Sequence, residues 1–311
     1  MVHREQNAAV LAPELLARVQ QIHVRTHRLV STALAGGYRS TFRGSGLEFE
    51  EVRPYQPGDD VRSIDWNVTA RAGEAYVKSF REERELTLNL VIDSGPSMDF
   101  GSQGWSKREA AAQFACLLSF VAMRHSDRVG LTLFSEEPGA HLPPAKGRGH
   151  ALRLVREVLS APLGGAGSDM YSMLRQANLA IRGRSVLFLV SDFLCLLDGD
   201  REACVDELSR LSRVHDVIAV RVLDPLEEEL PAAGLVRLAP IAGGEVRELD
   251  ASSEPVRTRW RDEAVQRREE IEELLGRARV DLLSIPTVGD LGAPVQEFFR
   301  RRQSRSRGRT C

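Results

Sequence analysis

Short apolar runs that stop abruptly at polar residues recur along the chain and predict buried strands. The clearest run is LTLNLVI at residues 86–92, which leads directly to Asp93 and a Gly-Pro-Ser turn. Runs of the same kind lie at residues 128–135, 185–190, 215–222 and 280–285. Strands that are apolar along most of their length are typical of parallel sheets that helices cover on both faces. The pattern therefore predicts a parallel sheet, and in folds of this kind the carboxyl ends of the strands line the ligand crevice.

Stretches with apolar residues at helical spacing alternate with these runs. Leu15, Val19 and Ile22 give this spacing to residues 12–35, and a Gly-Gly pair is expected to end that helix. Further helices are predicted at residues 107–124, 150–159, 170–182, 200–213, 256–278 and 293–302. Because strands and helices alternate, the chain is predicted to adopt an α/β fold with a doubly wound, mainly parallel sheet.

Two sections interrupt this alternation. Residues 38–80 are charged and lack long apolar runs, so short strands are predicted there at 48–52 and 75–80. Within residues 226–256, the segments Leu235–Leu238 and Glu245–Leu249 flank a Gly-Gly pair at 243–244, which is typical of a β-hairpin insertion. The predicted division of the chain is an amino-terminal section at 1–85, a core domain at 86–302 with the insertion at about 226–256, and a disordered basic tail at 303–311.

The composition of the chain limits the partners and the cellular compartment that can be predicted for it. The chain has 311 residues and a formal net charge of −2, which gives no general attraction to nucleic acid or to acidic membranes. Its four cysteines show no C-x-x-C spacing, which indicates a reducing compartment, so we predict a cytoplasmic location. No run reaches roughly 18 apolar residues and no signal-peptide pattern opens the chain, so no membrane span is predicted.

Oxygen-bearing side chains gather in three loops that follow strands or open a helix: residues 93–97 (DSGPS), 167–169 (GSD) and 191–192 (SD). Carboxylate and hydroxyl oxygens are the ligands that Mg²⁺ prefers, and the ion commonly keeps several waters. Taken one at a time, the loops are better explained as helix caps, because Asp and Ser are common there. Their occurrence together, each beside a predicted buried strand, favours a shared site at the edge of the sheet.

The three loops resemble the metal-ion-dependent adhesion site of von Willebrand factor A domains. That site combines an Asp-x-Ser-x-Ser loop after the first strand, a Thr on a second loop and an Asp after a later strand. By position, the resemblance implies that Asp93, Ser97, Ser168 and Asp192 hold a Mg²⁺ ion, whose coordination an acidic group of a partner would complete. Gly95 stands where the first serine of the pattern belongs, which removes one direct ligand. The resemblance also implies a sheet of von Willebrand A (Rossmann-like) type.

A second motif, RPYQPGDDVRSIDW, precedes the first core strand and packs opposite charges among aromatic residues. Its notable side chains are Arg53, Tyr55, Asp59, Asp60, Arg62, Asp65 and Trp66. Such a density of arginines and carboxylates favours a network of bidentate pairs. One interpretation is structural, with the network anchoring the amino-terminal section onto the sheet. The other interpretation is a partner-docking site or a second ion site.

This motif, followed by a strand that ends in Asp and by a Ser-Met pair, resembles the bacterial family known as domain of unknown function 58. ERE at 83–85, LVSDF at 189–193 and HDVIAVRVLDP at 215–225 add to the resemblance, which covers about residues 10–302. Members of that family look like von Willebrand A-type proteins and are often encoded beside MoxR-type AAA+ ATPases. The resemblance thus implies an adaptor or chaperone-like partner of such an ATPase. Many members carry membrane helices near the amino terminus, and this sequence shows none.

An enzymatic function is the alternative, because an Asp at a strand end can be the nucleophile of phosphoryl transfer. Proteins that work in this way also need a basic residue, usually lysine, at a later strand end. The lysines Lys78, Lys107 and Lys146 all fall outside later strand ends, and no Gly-x-x-x-x-Gly-Lys phosphate loop occurs. We therefore predict a non-enzymatic interaction protein and keep a Mg²⁺-dependent phosphohydrolase or nuclease as the alternative. The basic tail lacks aromatic platforms, so no specific nucleic acid is predicted as a partner.

Overall fold

The computed structural model describes residues 2–30, 38, 41, 48–81, 85–136, 138–162, 167–239 and 246–308. Its helices are α1 (Val2–Val30), α2 (Trp66–Ala72), α3 (Lys107–Arg124), α4 (Arg148–Ser160), α5 (Met170–Ala180), α6 (Leu194–Asp198), α7 (Arg201–Val214), α8 (Pro225–Glu228), α9 (Glu254–Arg277) and α10 (Gly292–Gly308). Its strands are β1 (Glu48–Pro54), β2 (Tyr76–Arg81), β3 (Thr87–Asp93), β4 (Arg128–Phe134), β5 (Pro138–Ala145), β6 (Val186–Ser191), β7 (Asp216–Leu223), β8 (Leu235–Leu238), β9 (Arg247–Asp250) and β10 (Asp281–Pro286). Short 3₁₀ turns lie at Val61–Ser63 and Pro96–Asp99.

The central sheet has six strands in the order β10-β7-β6-β3-β4-β5. Neighbouring strands are parallel except for β4 and β5, which are antiparallel. Helices follow the parallel strands and return the chain to the same end of the sheet. The predicted α/β fold with a doubly wound, mainly parallel sheet is therefore confirmed.

Alternate residues of β3 face two separate cores. Leu88, Leu90 and Ile92 belong to the core formed with α1, α3, α4 and α10. Val91 belongs to the core formed with α5, α6, α7 and α9. Successive side chains of a strand point to opposite faces, so a strand covered on both faces must be apolar at almost every position. This two-sided burial explains why Leu90, Val91 and Ile92, just before Asp93, are apolar without a break, whereas the half-buried positions 87 and 89 are polar.

The first helix belongs to the body of the molecule. α1 begins at Val2 rather than near residue 12, and Pro13 lies inside it. Val19 and Ile22 are buried in the same core as Leu88, so α1 packs on the domain predicted at 86–302. The Gly-Gly pair that was expected to end this helix lies outside the described residues.

Two small antiparallel pairs lie outside the central sheet. β1 pairs with β2, which agrees with the strands predicted at 48–52 and 75–80. β8 pairs with β9, which agrees with the predicted hairpin insertion, although the glycines at 243–244 lie outside the described residues. Among the described helices, none combines the length and the apolar character that crossing a membrane requires.

The carboxyl-terminal residues differ from the predicted disordered tail. α10 continues to Gly308, so residues 303–308 are helical. Arg302 lies 2.5 Å from Asp216 Oδ1 and 2.9 Å from Asp281 Oδ2, and Arg305 lies 3.3 Å from Asp281 Oδ1. These ion pairs join the helix end to the starts of β7 and β10 and partly offset its positive charge.

Candidate functional site

The carboxyl ends of β3 and β6 meet where the chain changes the direction in which it adds strands. From β3 the chain adds β4 and β5 on one side, and then returns to place β6 and β7 on the other side. Open α/β sheets bind ligands at such a switch point. Asp93 ends β3, Ser191 ends β6 and Asp192 follows it. We use the name Asp93 edge for the side chains gathered here: Asp93, Lys107, Ser168, Ser191 and Asp192.

Asp93 is a buried junction between three loops. Its side chain accepts hydrogen bonds on Oδ1 from Ser168 Oγ at 2.5 Å and from the Gly95 backbone N–H at 2.8 Å. Ser191 Oγ donates to Oδ2 at 2.7 Å. Burial and the nearby Asp192 carboxylate raise the pKa of Asp93 to about 6, although the three hydrogen bonds oppose that shift. With 1% of the residue exposed, Asp93 holds the loops together from the inside.

Ser168 fills the space beside Gly95. A Cβ atom at position 95 would lie 2.1 Å from Ser168 Oγ and 3.1 Å from Asp93 Oδ1. The backbone at Gly95 has φ −67° and ψ 170°, angles that any residue can adopt, so space rather than conformation requires the glycine. Position 95 has glycine instead of the serine of the pattern because the loops at 93–97 and 167–169 lie too close together for a side chain there.

Lys107 belongs to the Asp93 edge although, as predicted, it lies outside the strand ends. Its side chain is fully buried at the first position of α3. Nζ lies 2.7 Å from Asp192 Oδ2 and 2.6 Å from Glu227 Oε1, which α8 supplies. A lysine can reach the carboxyl end of the sheet from the first turn of a helix as well as from the end of a strand, and Lys107 does so.

The position of Lys107 in the sequence is unusual for a lysine and indicates acidic neighbours. A cation in the first turn of a helix faces the positive end of the helix dipole, so it requires acidic partners nearby. Only three of the 42 basic residues are lysines, and one of them stands at this unfavourable position. Burial by itself would lower the pKa of Lys107, but the carboxylates of Asp192 and Glu227 outweigh burial and raise it. The amine therefore carries a full positive charge at neutral pH.

Two buried arginines flank the edge and were not singled out from the sequence. Arg108 Nη2 donates to the Ser94 carbonyl at 3.1 Å and its Nε donates to Asp99 Oδ1 at 2.6 Å, which fastens the loop after β3 to α3. Arg221 lies beside Ser191 in the parallel register of β6 and β7. Its Nη2 is 3.5 Å from Glu228 Oε1, whereas Nε and Nη1 have no hydrogen-bond partner among the residues that the structure describes.

The structure gathers three of the four predicted metal ligands. Ser168 contacts Asp93 directly, and Asp192 is close enough to raise the pKa of Asp93. Ser97 lies half-buried in the 3₁₀ turn Pro96–Asp99, and no hydrogen bond joins its side chain to the other three within the described chain.

The arrangement also bears on whether a Mg²⁺ ion fits. Across the described parts of the chain, no three histidine, cysteine or acidic side chains converge in a way that could hold a metal ion. Asp192, one of the two acidic ligands predicted, already pairs with the Lys107 ammonium. The predicted site has only two acidic ligands beside two serines, so the lack of a three-acid cluster among the described residues does not decide it, and the magnesium site stays a prediction.

Comparison with known proteins identifies the same family as the RPYQPGDDVRSIDW motif does. The family model described as "Protein of unknown function DUF58" matches residues 51–270. The chain belongs to this family. The uncharacterized protein Rv1480 of Mycobacterium tuberculosis is 30% identical over 294 residues, which are 94% of this chain and 90% of that protein. The uncharacterized protein MAV169 of Mycobacterium avium is 26% identical over 164 residues, which are 52% of this chain and 94% of that protein.

Solved structures with a similar course of the chain include von Willebrand A domains. BatB from Bacteroides thetaiotaomicron matches with a TM-score of 0.44 and 14% identity, over 70% of this chain and 99% of that one. The von Willebrand A domain of SpRpn10 matches with a TM-score of 0.41 and 14% identity, over 70% of this chain and 95% of that one. A likeness at this level concerns the fold alone.

The RPYQPGDDVRSIDW motif lies on the β1–β2 pair, where local contacts fix its shape. Arg53 and Asp59 form a bidentate pair with N–O distances of 2.8 and 2.7 Å. Asp60 accepts the Arg62 backbone N–H at 2.9 Å, and Asp65 caps α2. The Tyr55 backbone N–H donates to the Ala75 carbonyl at 2.8 Å. One bidentate pair and two caps therefore order the motif locally, and both roles considered for it, anchoring on the sheet and partner docking, stay predictions.

The same motif presents apolar side chains to solvent. Trp66, the first residue of α2, is 68% exposed, and Val61 in the preceding 3₁₀ turn is 60% exposed. Anchoring onto the sheet does not explain either exposure. Tryptophan is enriched at the centres of protein interfaces because one side chain buries a large apolar area with little loss of rotamer freedom.

Proposed function

We propose that this DUF58 protein is a non-enzymatic protein-interaction module, acting as an adaptor or chaperone-like partner of a MoxR-type AAA+ ATPase. The observation that carries the interaction role is the exposure of Trp66 and Val61 on a motif that the Arg53–Asp59 pair and the Asp65 cap order through local hydrogen bonds. A rigid segment loses little conformational freedom when it binds, so more of the contact energy appears as affinity. The ATPase as partner comes from the family resemblance and not from the geometry.

The burial of the Asp93 edge supports a role without catalysis. A catalytic nucleophile must touch its substrate, yet Asp93 is 1% exposed and Lys107 is fully buried. Both groups are already engaged by side chains of the chain itself, through Ser168 and Ser191 on one and Asp192 on the other. We assign the edge to holding the loops of the sheet in a fixed arrangement.

A binding experiment tests the proposed function. The purified chain and a MoxR-type ATPase from the same organism are titrated by biolayer interferometry, with Trp66→Ala as the test variant. We expect Trp66→Ala to weaken binding by at least about 30-fold, because a central tryptophan contributes about 2 kcal/mol or more to an interface. Leu179→Ala is the matched control, since Leu179 is 76% exposed on α5 at a distance in sequence from the motif.

Several outcomes would contradict the proposal. Equal affinities of the wild type and Trp66→Ala would remove the motif from the interface, and no binding at all would remove the ATPase as partner. The enzymatic alternative, a Mg²⁺-dependent phosphohydrolase or nuclease, keeps one argument, because Lys107 does lie beside Asp192 at the end of a strand. Turnover of p-nitrophenyl phosphate or of nucleic acid with Mg²⁺, lost in Asp93→Asn, would establish that alternative in place of our proposal.

The cysteines support a cytoplasmic location. Cys116 and Cys204 are buried free thiols, and Cys195 is a partly exposed free thiol. Burial raises the pKa of Cys116 to about 12, so this thiol stays protonated and unreactive. Free thiols are usual in reducing compartments.

A further inference from the structure

We infer that the Lys107 ammonium supplies the positive charge at the Asp93 edge that a divalent ion supplies in the adhesion site it resembles. The edge therefore folds and functions without a metal ion. The inference rests on this chain alone. Its consequence for partner binding, which would then be insensitive to chelators, rests on the proposed function.

The charge balance at the edge supports this inference. Lys107 lies within 2.7 Å of both Asp192 and Glu227, and its own charge is completely removed from solvent. Arg221, which is 5% exposed, is a second cation near the same two carboxylates. Buried carboxylates require a nearby positive charge, and here two side chains of the protein provide it.

A divalent ion would have to share Asp192 with the lysine. Two cations held by one carboxylate repel each other, and the repulsion is strong where burial lowers the effective dielectric constant. An ion at Asp93 would lie in the same buried region, because Asp93 and Asp192 are close enough to interact electrostatically. The ammonium and the ion are therefore alternatives for this edge.

The packing of the loops points the same way. Ser168 Oγ occupies the position that a side chain at 95 would need, at 2.1 Å from a Cβ atom placed there. A serine ligand at position 95 therefore cannot be added without moving Ser168 away from Asp93. The loss of that ligand and the close packing of the two loops belong to one arrangement.

Calorimetric titration of the wild-type chain with Mg²⁺ and with Mn²⁺ is the first test. We expect no saturable heat at millimolar ion, and the same melting temperature in EDTA as in either ion. Saturable binding of one ion per chain, or a clear rise of the melting temperature with the ion, would overturn the inference. This test uses no partner, so its result is independent of whether the ATPase binds.

The lysine itself is tested by Lys107→Met. Removing the ammonium takes away the direct ion pairs of Asp192 and Glu227 and leaves only Arg221 near them, so we expect a lower melting temperature in EDTA and a partial recovery with Mn²⁺. Lys146→Met is the control, because Lys146 is half exposed and pairs with Glu85. An equal response to Mn²⁺ in Lys107→Met and the wild type would overturn the inference. Where the single variant does not fold, Lys107→Met with Glu227→Gln gives the same readout with one acid fewer.

Discussion

Gly95→Ala tests the packing of the Asp93 edge with a single methyl group. The new Cβ would lie 2.1 Å from Ser168 Oγ, so Ser168 must rotate away and lose its hydrogen bond to Asp93 Oδ1. The backbone angles at position 95 suit alanine, so the change brings no conformational strain. The contact with Ser168 is the closest that the new methyl group makes, and weaker contacts with Asp93 Oδ1 and the Gly167 carbonyl add to the effect.

The size of the effect follows from the bond that is lost. A hydrogen bond to a charged group contributes about 1.5–3 kcal/mol. Replacing glycine with alanine returns about 0.4–1 kcal/mol by restricting the unfolded chain. The net loss is therefore about 1.5 kcal/mol, and it lowers the melting temperature by about 3–6 °C at roughly 2–4 °C per kcal/mol.

Differential scanning calorimetry of a double-mutant cycle checks this reasoning. Ser168→Ala alone removes the same hydrogen bond, so the double variant Gly95→Ala/Ser168→Ala should be no less stable than Ser168→Ala. Gly95→Ala is thus expected to destabilise the wild type and to be neutral or stabilising in the Ser168→Ala background. Gly149→Ala is the control, because a Cβ atom at that position of α4 meets nothing within 4 Å. An equal loss from Gly95→Ala in both backgrounds would refute the reasoning.

Three further predictions concern buried polar groups. Lys107→Met should lower the free energy of unfolding by about 3–5 kcal/mol, and adding Asp192→Asn to that variant should restore part of the lost stability. Chemical denaturation measures the stability of both variants, and additive losses would contradict the pairing of Lys107 with Asp192. Tyr38→Phe removes the 2.7 Å hydrogen bond from the Tyr38 hydroxyl to the buried Asp127 carboxylate and should cost about 1.5–3 kcal/mol in the same assay; a loss below about 0.5 kcal/mol would show that the bond is not needed. Burial lowers the pKa of His215, so on acidification the unfolded chain binds a proton at this residue before the folded chain does. The stability that the buried neutral imidazole contributes therefore falls as the pH drops below about 6.5. The stability difference between the wild type and His215→Asn should shrink between neutral and mildly acidic pH, and a constant difference would disprove the assignment.

The strands could be predicted from the sequence because their apolar pattern is a property of neighbouring residues. LTLNLVI at 86–92 alternates at first and is then apolar throughout from Leu90, and the structure buries that part on both faces of the sheet. The same pattern placed Asp93 at a strand end, and chain order alone placed Asp192 at another. Parallel strands bring their carboxyl ends to one edge, so the meeting of these two residues followed from the fold class.

The helix boundaries and the tail were less accessible to sequence reasoning. Residues 303–308 have a composition typical of disorder, but ion pairs such as that of Arg302 with Asp216 hold α10 against strands that lie far away in sequence. The RPYQPGDDVRSIDW motif was recognised as a unit, whereas the exposure of Trp66 depends on which face of α2 the β1–β2 pair leaves open.

The sequence by itself determined the α/β fold, the DUF58 family and the position of Asp93, because apolar periodicity and motif spacing are properties of neighbouring residues. Only the tertiary structure decided what surrounds that aspartate. Lys107 meets Asp192 across 85 residues and Glu227 across 120 residues, and Ser168 reaches Asp93 across 75 residues. Such contacts depend on which helix end and which loop the folded sheet brings to one edge, and no local pattern encodes that choice.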